Sequence, residues 1–76
     1  KSLLPSGVVK IEGKFIKGDV VSIVDVGEKR EVARGLMNYS ADEVRKVKGL
    51  RTSLIKKTLG YKPYDEIVHR DNIVLL

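Results

Sequence analysis

A short, well-capped helix over residues 40–49 most constrains how this chain can fold. Ser40 is a favourable N-cap, and Glu43 lies three residues later, which is the spacing of a capping box. Acidic residues at the start and basic residues near the end complement the helix dipole. Gly49 can adopt the left-handed conformation that ends a helix. Two valines three residues apart, at 44 and 47, form a narrow apolar stripe on the helix.

The length and composition exclude several classes of protein. A chain of 76 residues forms one small domain at most, and such a domain buries only about 60% of the surface exposed by its unfolded chain. There is no cysteine, so neither a disulfide nor a thiolate metal site can stabilise it. The sequence predicts no membrane span and no signal peptide. Because the first residue is not methionine, we expect a piece of a longer protein.

The positive charge is concentrated in the predicted helical part of the chain. The formal net charge is +5, and residues 41–62 carry seven basic and two acidic side chains. A clustered positive field favours anionic partners such as RNA. A solvated helical face on a small domain is the simpler interpretation of the same pattern.

Several segments are predicted to be β-structure. Residues 20–24 are nearly all β-branched, which predicts a strand buried on much of both faces. A turn with Gly27 at positive φ returns the chain along residues 30–39, so that an antiparallel hairpin forms. Gly35 inside the second strand indicates a bulge or a close backbone approach. Residues 8–13 are a further short strand candidate.

The rest of the chain predicts a second helix and a final strand region. The second helix covers about residues 53–60 and ends at Gly60. Residues 67–76 predict either a pair of strands or one strand with a polar turn at 71–72. Phe15 is predicted to fill part of the core. The fold class is therefore α+β and mainly β, with two short helices at about 40–49 and 53–60.

Catalytic and metal-binding motifs are not evident in the sequence. Gly13 and Gly18 have the spacing of a phosphate-binding loop, but Asp19 follows and would repel phosphate. His69 could act as a general base, but a hydrogen-bonded histidine within the fold is the preferred interpretation. The three tyrosines could stack on bases, although residues at the edge of the core are the more common case. We therefore predict no catalytic residue and no metal ligand in this chain.

The order of five motifs resembles a known family. They are S-L-L-P-S-G-V at 2–8, V-K-I-E-G-K-F at 9–15, K-G-D-V-V at 17–21, A-R-G-L-M-N-Y-S at 33–40 and I-V-H-R-D-N-I-V-L at 67–75. These motifs are similar to the PUA domains, named for pseudouridine synthases and archaeosine transglycosylases, and specifically to those that end bacterial glutamate 5-kinases. The resemblance covers residues 1–76 and implies a PUA-like pseudo-barrel of mixed strands.

The resemblance also implies a function. It indicates an accessory domain, regulatory or RNA-binding, of a cytoplasmic enzyme of proline biosynthesis. The partner would be a preceding amino-acid-kinase domain that binds ATP and Mg²⁺, whereas this chain would hold no cofactor. Two alternatives stay open: a stand-alone RNA-binding module of the kind found in RNA-modification enzymes, and an oligomerisation module.

The resemblance points to a candidate RNA-binding surface around the first glycine loop. By position in the family pattern, and by charge, its members are Lys1, Ser6, Gly7, Lys10, Lys14 and Arg70. Family members carry a strand and most of a helix before the S-L-L-P segment, and we expect this chain to lack them. An edge left open in this way would favour self-association.

Overall fold

Three antiparallel strands form the sheet in the computed structural model, which describes residues 2–76. The strands are β1 (Val20–Asp25), β2 (Arg30–Leu36) and β3 (Ile73–Leu75), in the order β1-β2-β3. A register shift between Ile23 and Val24 makes an irregularity in β1. The predicted hairpin at residues 20–39 is therefore confirmed, although β2 ends earlier than expected.

Two details of this hairpin were predicted wrongly. β1 buries only one face, because Val20 is 66% and Val24 53% exposed. No layer of the described chain covers the other face, so β-branched residues there contact solvent. The residue at positive φ in the turn is Lys29, with φ of 56°, and not Gly27.

Gly35 is required by close packing, as predicted. A Cβ atom at this position would lie 2.6 Å from Cγ1 of Val68 and 3.3 Å from Cδ1 of Ile23. Because Val68 is fully buried, its side chain has nowhere to move. The absence of a side chain at position 35 therefore lets the C-terminal segment lie directly on the sheet.

The two predicted helices are confirmed as α1 (Ala41–Val47) and α2 (Ile55–Leu59), with a 3₁₀ turn at Thr52–Leu54 between them. Ser40 and Glu43 form both halves of the capping box at the start of α1. Glycines with positive φ, at 49 and 60, follow the two helices. The Tyr61 hydroxyl, just after α2, contacts Glu43 near the start of α1. The helices therefore form an antiparallel hairpin, called the helical hairpin below.

The core lies between the sheet and the helical hairpin. Its buried members come from the segment between β2 and α1, from both helices and from the C-terminal segment: Met37, Tyr39, Val44, Val47, Ile55, Ile67 and Val68. Phe15 packs against them, as predicted. Tyr39 is only 1% exposed and so belongs to the centre of the core, not to its edge. Its hydroxyl donates to the carbonyl of Tyr64 and accepts from the Tyr64 amide, so its polar atom is satisfied.

The C-terminal segment closes the domain against the first residues of the chain. Leu3 and Val68 form an isolated antiparallel bridge, and a 3₁₀ turn at Arg70–Asn72 then leads into β3. The His69 Nδ1 atom accepts a hydrogen bond of 3.1 Å from the Asp71 amide, so the predicted hydrogen bond is present. The prediction of a strand histidine inside the fold is wrong, because His69 precedes a 3₁₀ turn and its side chain is 38% exposed. Of the two arrangements predicted for residues 67–76, one strand preceded by a polar turn is closer to the structure. The predicted α+β fold class is confirmed.

Candidate binding surfaces

The prediction of a strand at residues 8–13 is wrong. Residues 9–14, called the strap below, belong to no helix or strand. Within residues 2–76, no backbone-to-backbone hydrogen bond involves the strap. Its carbonyls instead accept from two basic side chains of α1 and its C-cap: Arg45 Nη2 donates to Gly13 at 2.6 Å, and Lys48 Nζ donates to Val9 at 3.3 Å.

An apolar groove lies between the strap and β1. The groove encloses about 530 Å³, and its floor includes the core residues Met37, Val44 and Ile67. Val9 on one rim and Val24 on the other are more than half exposed. β1 pairs only with β2 in the described chain, so its outer edge also has free backbone groups. The groove is therefore flanked by the strap, which belongs to no strand, and by the outer edge of β1, which has no strand partner within residues 2–76.

The structure divides the predicted RNA-binding residues into two groups. Ser6 and Gly7 lie in the 3₁₀ turn at Pro5–Gly7 and line a shallow depression with Ser2. The backbone amide of Arg70 donates to Ser2 Oγ at 2.9 Å, which places Arg70 beside that depression.

The other predicted residues lie elsewhere. Lys10 and Lys14 are exposed on the strap, and Lys10 is paired with Glu12 at 3.5 Å. Lys1 lies outside the described residues. RNA binding by this set remains a prediction.

A second basic surface, not assigned to any site from the sequence, lies on the helical hairpin. Its members are exposed and, within residues 2–76, make no ion pair: Lys46, Arg51, Lys56 and Lys57. The count of basic residues in the sequence indicated this region. Only the structure shows which of these side chains are left without acidic partners.

A cluster of hydrogen-bonded polar side chains joins the start of α1 to the residue just after α2. Burial alone would raise the pKa of Glu43, but hydrogen bonds from Tyr61 and Ser40 outweigh it and hold that pKa below its usual value. The same bond raises the pKa of the Tyr61 hydroxyl, and burial raises the pKa of Tyr39. Each of these groups is engaged in holding the fold, so the cluster is structural.

Residues 2–76 contain no group of three or more histidine, cysteine, aspartate or glutamate side chains placed to hold a metal ion. No helix in the same range is long and apolar enough to cross a membrane. The features that the structure offers are thus an apolar groove and a basic helical surface, both suited to binding.

The comparisons with known proteins define the class of this small α+β domain. A family model described as "PUA domain" matches residues 1–59, and the chain belongs to that family. It is also similar to the C-terminal region of glutamate 5-kinases. Identity over 76 residues is 63% with the enzyme of Thermoanaerobacter pseudethanolicus, and alignments of the same length give 59% for Caldanaerobacter subterraneus and 55% for Syntrophus aciditrophicus. Each alignment covers 100% of this chain but 20% of the relative, so the chain spans about a fifth of these curated relatives.

Proposed function

We propose that this chain is the accessory PUA domain of a glutamate 5-kinase, which uses ATP to phosphorylate the γ-carboxylate of glutamate in the first step of proline biosynthesis. The observation that carries the proposal is the extent of the likeness. The family model ends at residue 59, whereas the likeness to glutamate 5-kinases continues to residue 76. Those last residues supply Tyr64 and Val68, which are bonded to or packed in the core.

The role of the domain is not catalytic in this proposal. The catalytic residues, the ATP site and its Mg²⁺ belong to a kinase domain outside residues 1–76, and the enzyme is cytoplasmic. The surfaces of this chain support that division, because the groove and the helical surface offer contacts and not a reacting group. The domain therefore acts on the kinase by binding to it or by recruiting another molecule.

A direct assay tests the assignment. The full-length protein should transfer phosphate from ATP to glutamate, measured as γ-glutamyl hydroxamate or as ADP release, and should not act on aspartate at a similar rate. A version without residues 1–76 should keep measurable transfer. Absence of glutamate-dependent transfer in the full-length protein would refute the assignment. Loss of all transfer in a truncated kinase that is still folded would show that this domain contributes to the chemistry.

The partner that fits the groove is the part of the same polypeptide that precedes Ser2. The curated relatives are about five times longer than this chain, so such a segment is available. Ser2 is followed at once by Leu3, which lines the groove, and a tethered segment has a high effective concentration there. An extended apolar strand would supply hydrogen bonds to the strap and to the edge of β1.

Thiol accessibility tests this arrangement. Residues 1–76 contain no cysteine, so Val24→Cys reports on the groove once any cysteine elsewhere in the full-length protein has been replaced by serine. Val74→Cys, on β3 and outside the groove lining, is a matched control. Both valines are more than half exposed in the described chain. In the full-length protein we expect alkylation at position 24 to be at least tenfold slower than at position 74. Equal rates would contradict the proposal, and protection that vanishes on dilution would indicate a second copy in the groove.

A further inference from the structure

The strap is fixed to both ends of α1 by backbone hydrogen bonds on either side of it. Before the strap, the carbonyl of Pro5 accepts from the amide of Val8 at 3.1 Å and from that of Gly49, which follows α1, at 2.8 Å. After the strap, the carbonyl of Phe15 accepts from the amide of Ala41, the first residue of α1, at 3.0 Å. The strap therefore runs along α1 in the opposite direction, from the C-terminal end of the helix to its N-terminal end.

Between these fixed points, two side chains of the described chain bond to the backbone of the strap. Arg45, in α1, donates to the carbonyl of Gly13. Lys48, at the C-cap of α1, donates to the carbonyl of Val9. The two donors are three residues apart in the sequence and so lie on the same side of the helix. They replace the backbone-to-backbone bonds that the strap lacks within residues 2–76.

Little else determines where the middle of the strap lies. Gly13 has φ of 76°, and no heavy atom beyond its chain neighbours lies within 4 Å of the position that a Cβ atom would occupy. Val9 is 65% exposed, and Ile11 is only partly buried against the core. The position of the strap between its fixed ends therefore depends on two hydrogen bonds and on one apolar side chain.

The strap is also one wall of the apolar groove. Val9 and Ile11 line the groove from this side, and β1 lines it from the other. The floor belongs to the core, where Met37 and Val44 are buried. Movement of the strap away from β1 would therefore open the groove without unfolding the core beneath it.

We propose that Arg45 and Lys48 hold the strap as the closed wall of the groove, and that loss of their two hydrogen bonds opens it. They are positioning residues, because they contact the strap and do not line the groove. When both bonds break, the strap moves about Gly13 and the segment bound in the groove is released. The identity of that segment, which precedes Ser2, rests on the proposed function, whereas the two hydrogen bonds do not.

Cleavage by glutamyl endopeptidase in the full-length protein measures how freely the strap moves. Glu12 lies in the strap and Glu28 in the turn between β1 and β2, and their side chains are 80% and 57% exposed. The ratio of cleavage after Glu12 to cleavage after Glu28, measured by mass spectrometry, therefore has an internal control. Arg45→Met keeps the apolar stem but removes the donor. It should raise this ratio about fivefold, which corresponds to one hydrogen bond of typical net strength.

The neighbouring residue Lys46 provides the matched control. It is exposed, makes no ion pair within residues 2–76 and lies about 100° around the helix from Arg45. Lys46→Met removes the same charge and should leave the cleavage ratio within about twofold of the parent value. An equal rise in the two variants would overturn the proposal in favour of an effect of net charge.

Alkylation of Val24→Cys in the full-length protein tests the link between the strap and the groove. Added Arg45→Met should make alkylation at position 24 about fivefold faster, and further addition of Lys48→Met should make it faster by on the order of tenfold or more. Alkylation of Val74→Cys should not change. The increase at position 24 should be the same in 0 and about 1 M urea, because local opening exposes little surface whereas global unfolding depends steeply on denaturant.

The two measurements separate the possible failures. An unchanged cleavage ratio in the double variant Arg45→Met with Lys48→Met would overturn the proposal, because the strap would not depend on these bonds. A raised ratio without faster alkylation at position 24 would also overturn it, because the groove would not depend on the strap. If position 24 is unprotected in the parent protein, the proposed occupant of the groove is wrong, and the cleavage ratio by itself decides for or against the role of the two residues.

Discussion

The helical hairpin and the strap cover the same core in different ways. The helical hairpin is held by its own backbone hydrogen bonds, a capping box and fully buried side chains such as Val47 and Ile55. The strap is held by two bonds from the basic side chains of Arg45 and Lys48 and by partly buried Ile11. The backbone hydrogen bonds of the helical hairpin are therefore made within the hairpin, whereas the strap has free backbone N–H and C=O groups that a further strand could pair.

The largest expected effect compares one isoleucine from each side. Ile55→Ala removes a fully buried side chain and should lower the free energy of unfolding by about 2–5 kcal/mol. Ile11→Ala, in the strap, removes a side chain that is only partly buried against the core and should lower it by about 1 kcal/mol. Urea unfolding followed by circular dichroism measures both. Equal losses would show that the strap side is packed as tightly as the helical side.

A second comparison uses two glycines. Gly35→Ala places a methyl group 2.6 Å from a buried Val68 carbon, and we expect a loss of about 1–3 kcal/mol from overpacking. Gly7→Ala is the control, because the nearest side-chain atom is 3.7 Å away and its φ is not positive. The loss of stability in each variant is measured from its urea unfolding midpoint. A neutral Gly35→Ala would mean that the C-terminal segment can shift away from the sheet, so that its packing on β2 is not rigid.

Short sequence patterns predicted the two helices and the close packing at Gly35. Each of these elements has a short sequence signature: the capping box at Ser40, the glycines at 49 and 60 that follow the helices, and Gly35, where the backbone is approached closely. The family resemblance identified the rest of the fold class. These features could be read early because each depends on a hydrogen bond or a contact with a simple sequence requirement.

Features that depend on a partner strand could not be read in this way. Residues 8–13 have strand composition but form no strand, because pairing requires a neighbour that residues 2–76 do not provide. Burial of Val20 and Val24 was overestimated for a similar reason, since a β-branched residue does not specify whether a second layer covers it. Pairing of charges is likewise a property of the folded surface. The sequence therefore did not distinguish Lys46 and Lys57, which make no ion pair within residues 2–76, from Lys10 or Arg34, which pair with glutamates.

The smallest expected effect concerns the polar cluster that joins the ends of the helical hairpin. The pKa of Glu43 in the folded chain lies below its usual value, because hydrogen bonds from Tyr61 and Ser40 favour the carboxylate more than burial disfavours it. In the unfolded chain this glutamate binds its proton at about pH 4.3. The unfolded state therefore binds more protons than the folded state just below that pH, and stability must fall as the pH is lowered through the folded pKa.

The Glu43→Gln variant isolates this contribution. The single amide oxygen of glutamine can still accept from the Ser40 amide, whereas its NH2 group, in the place of Oε2, would donate to the Tyr61 hydroxyl and not accept from it. Glutamine does not titrate, so the stability of the variant should fall less between pH 6 and pH 3 than that of the parent chain. Because the carboxylate is partly exposed and screened by solvent, the difference should be about 0.5 kcal/mol or less, read from urea midpoints at several pH values. Identical pH profiles for the two proteins would show that the bond to Tyr61 does not hold the hairpin ends. The helical hairpin would then be stabilised by apolar packing alone. It would differ from the strap in the apolar area that it buries and not in its polar contacts.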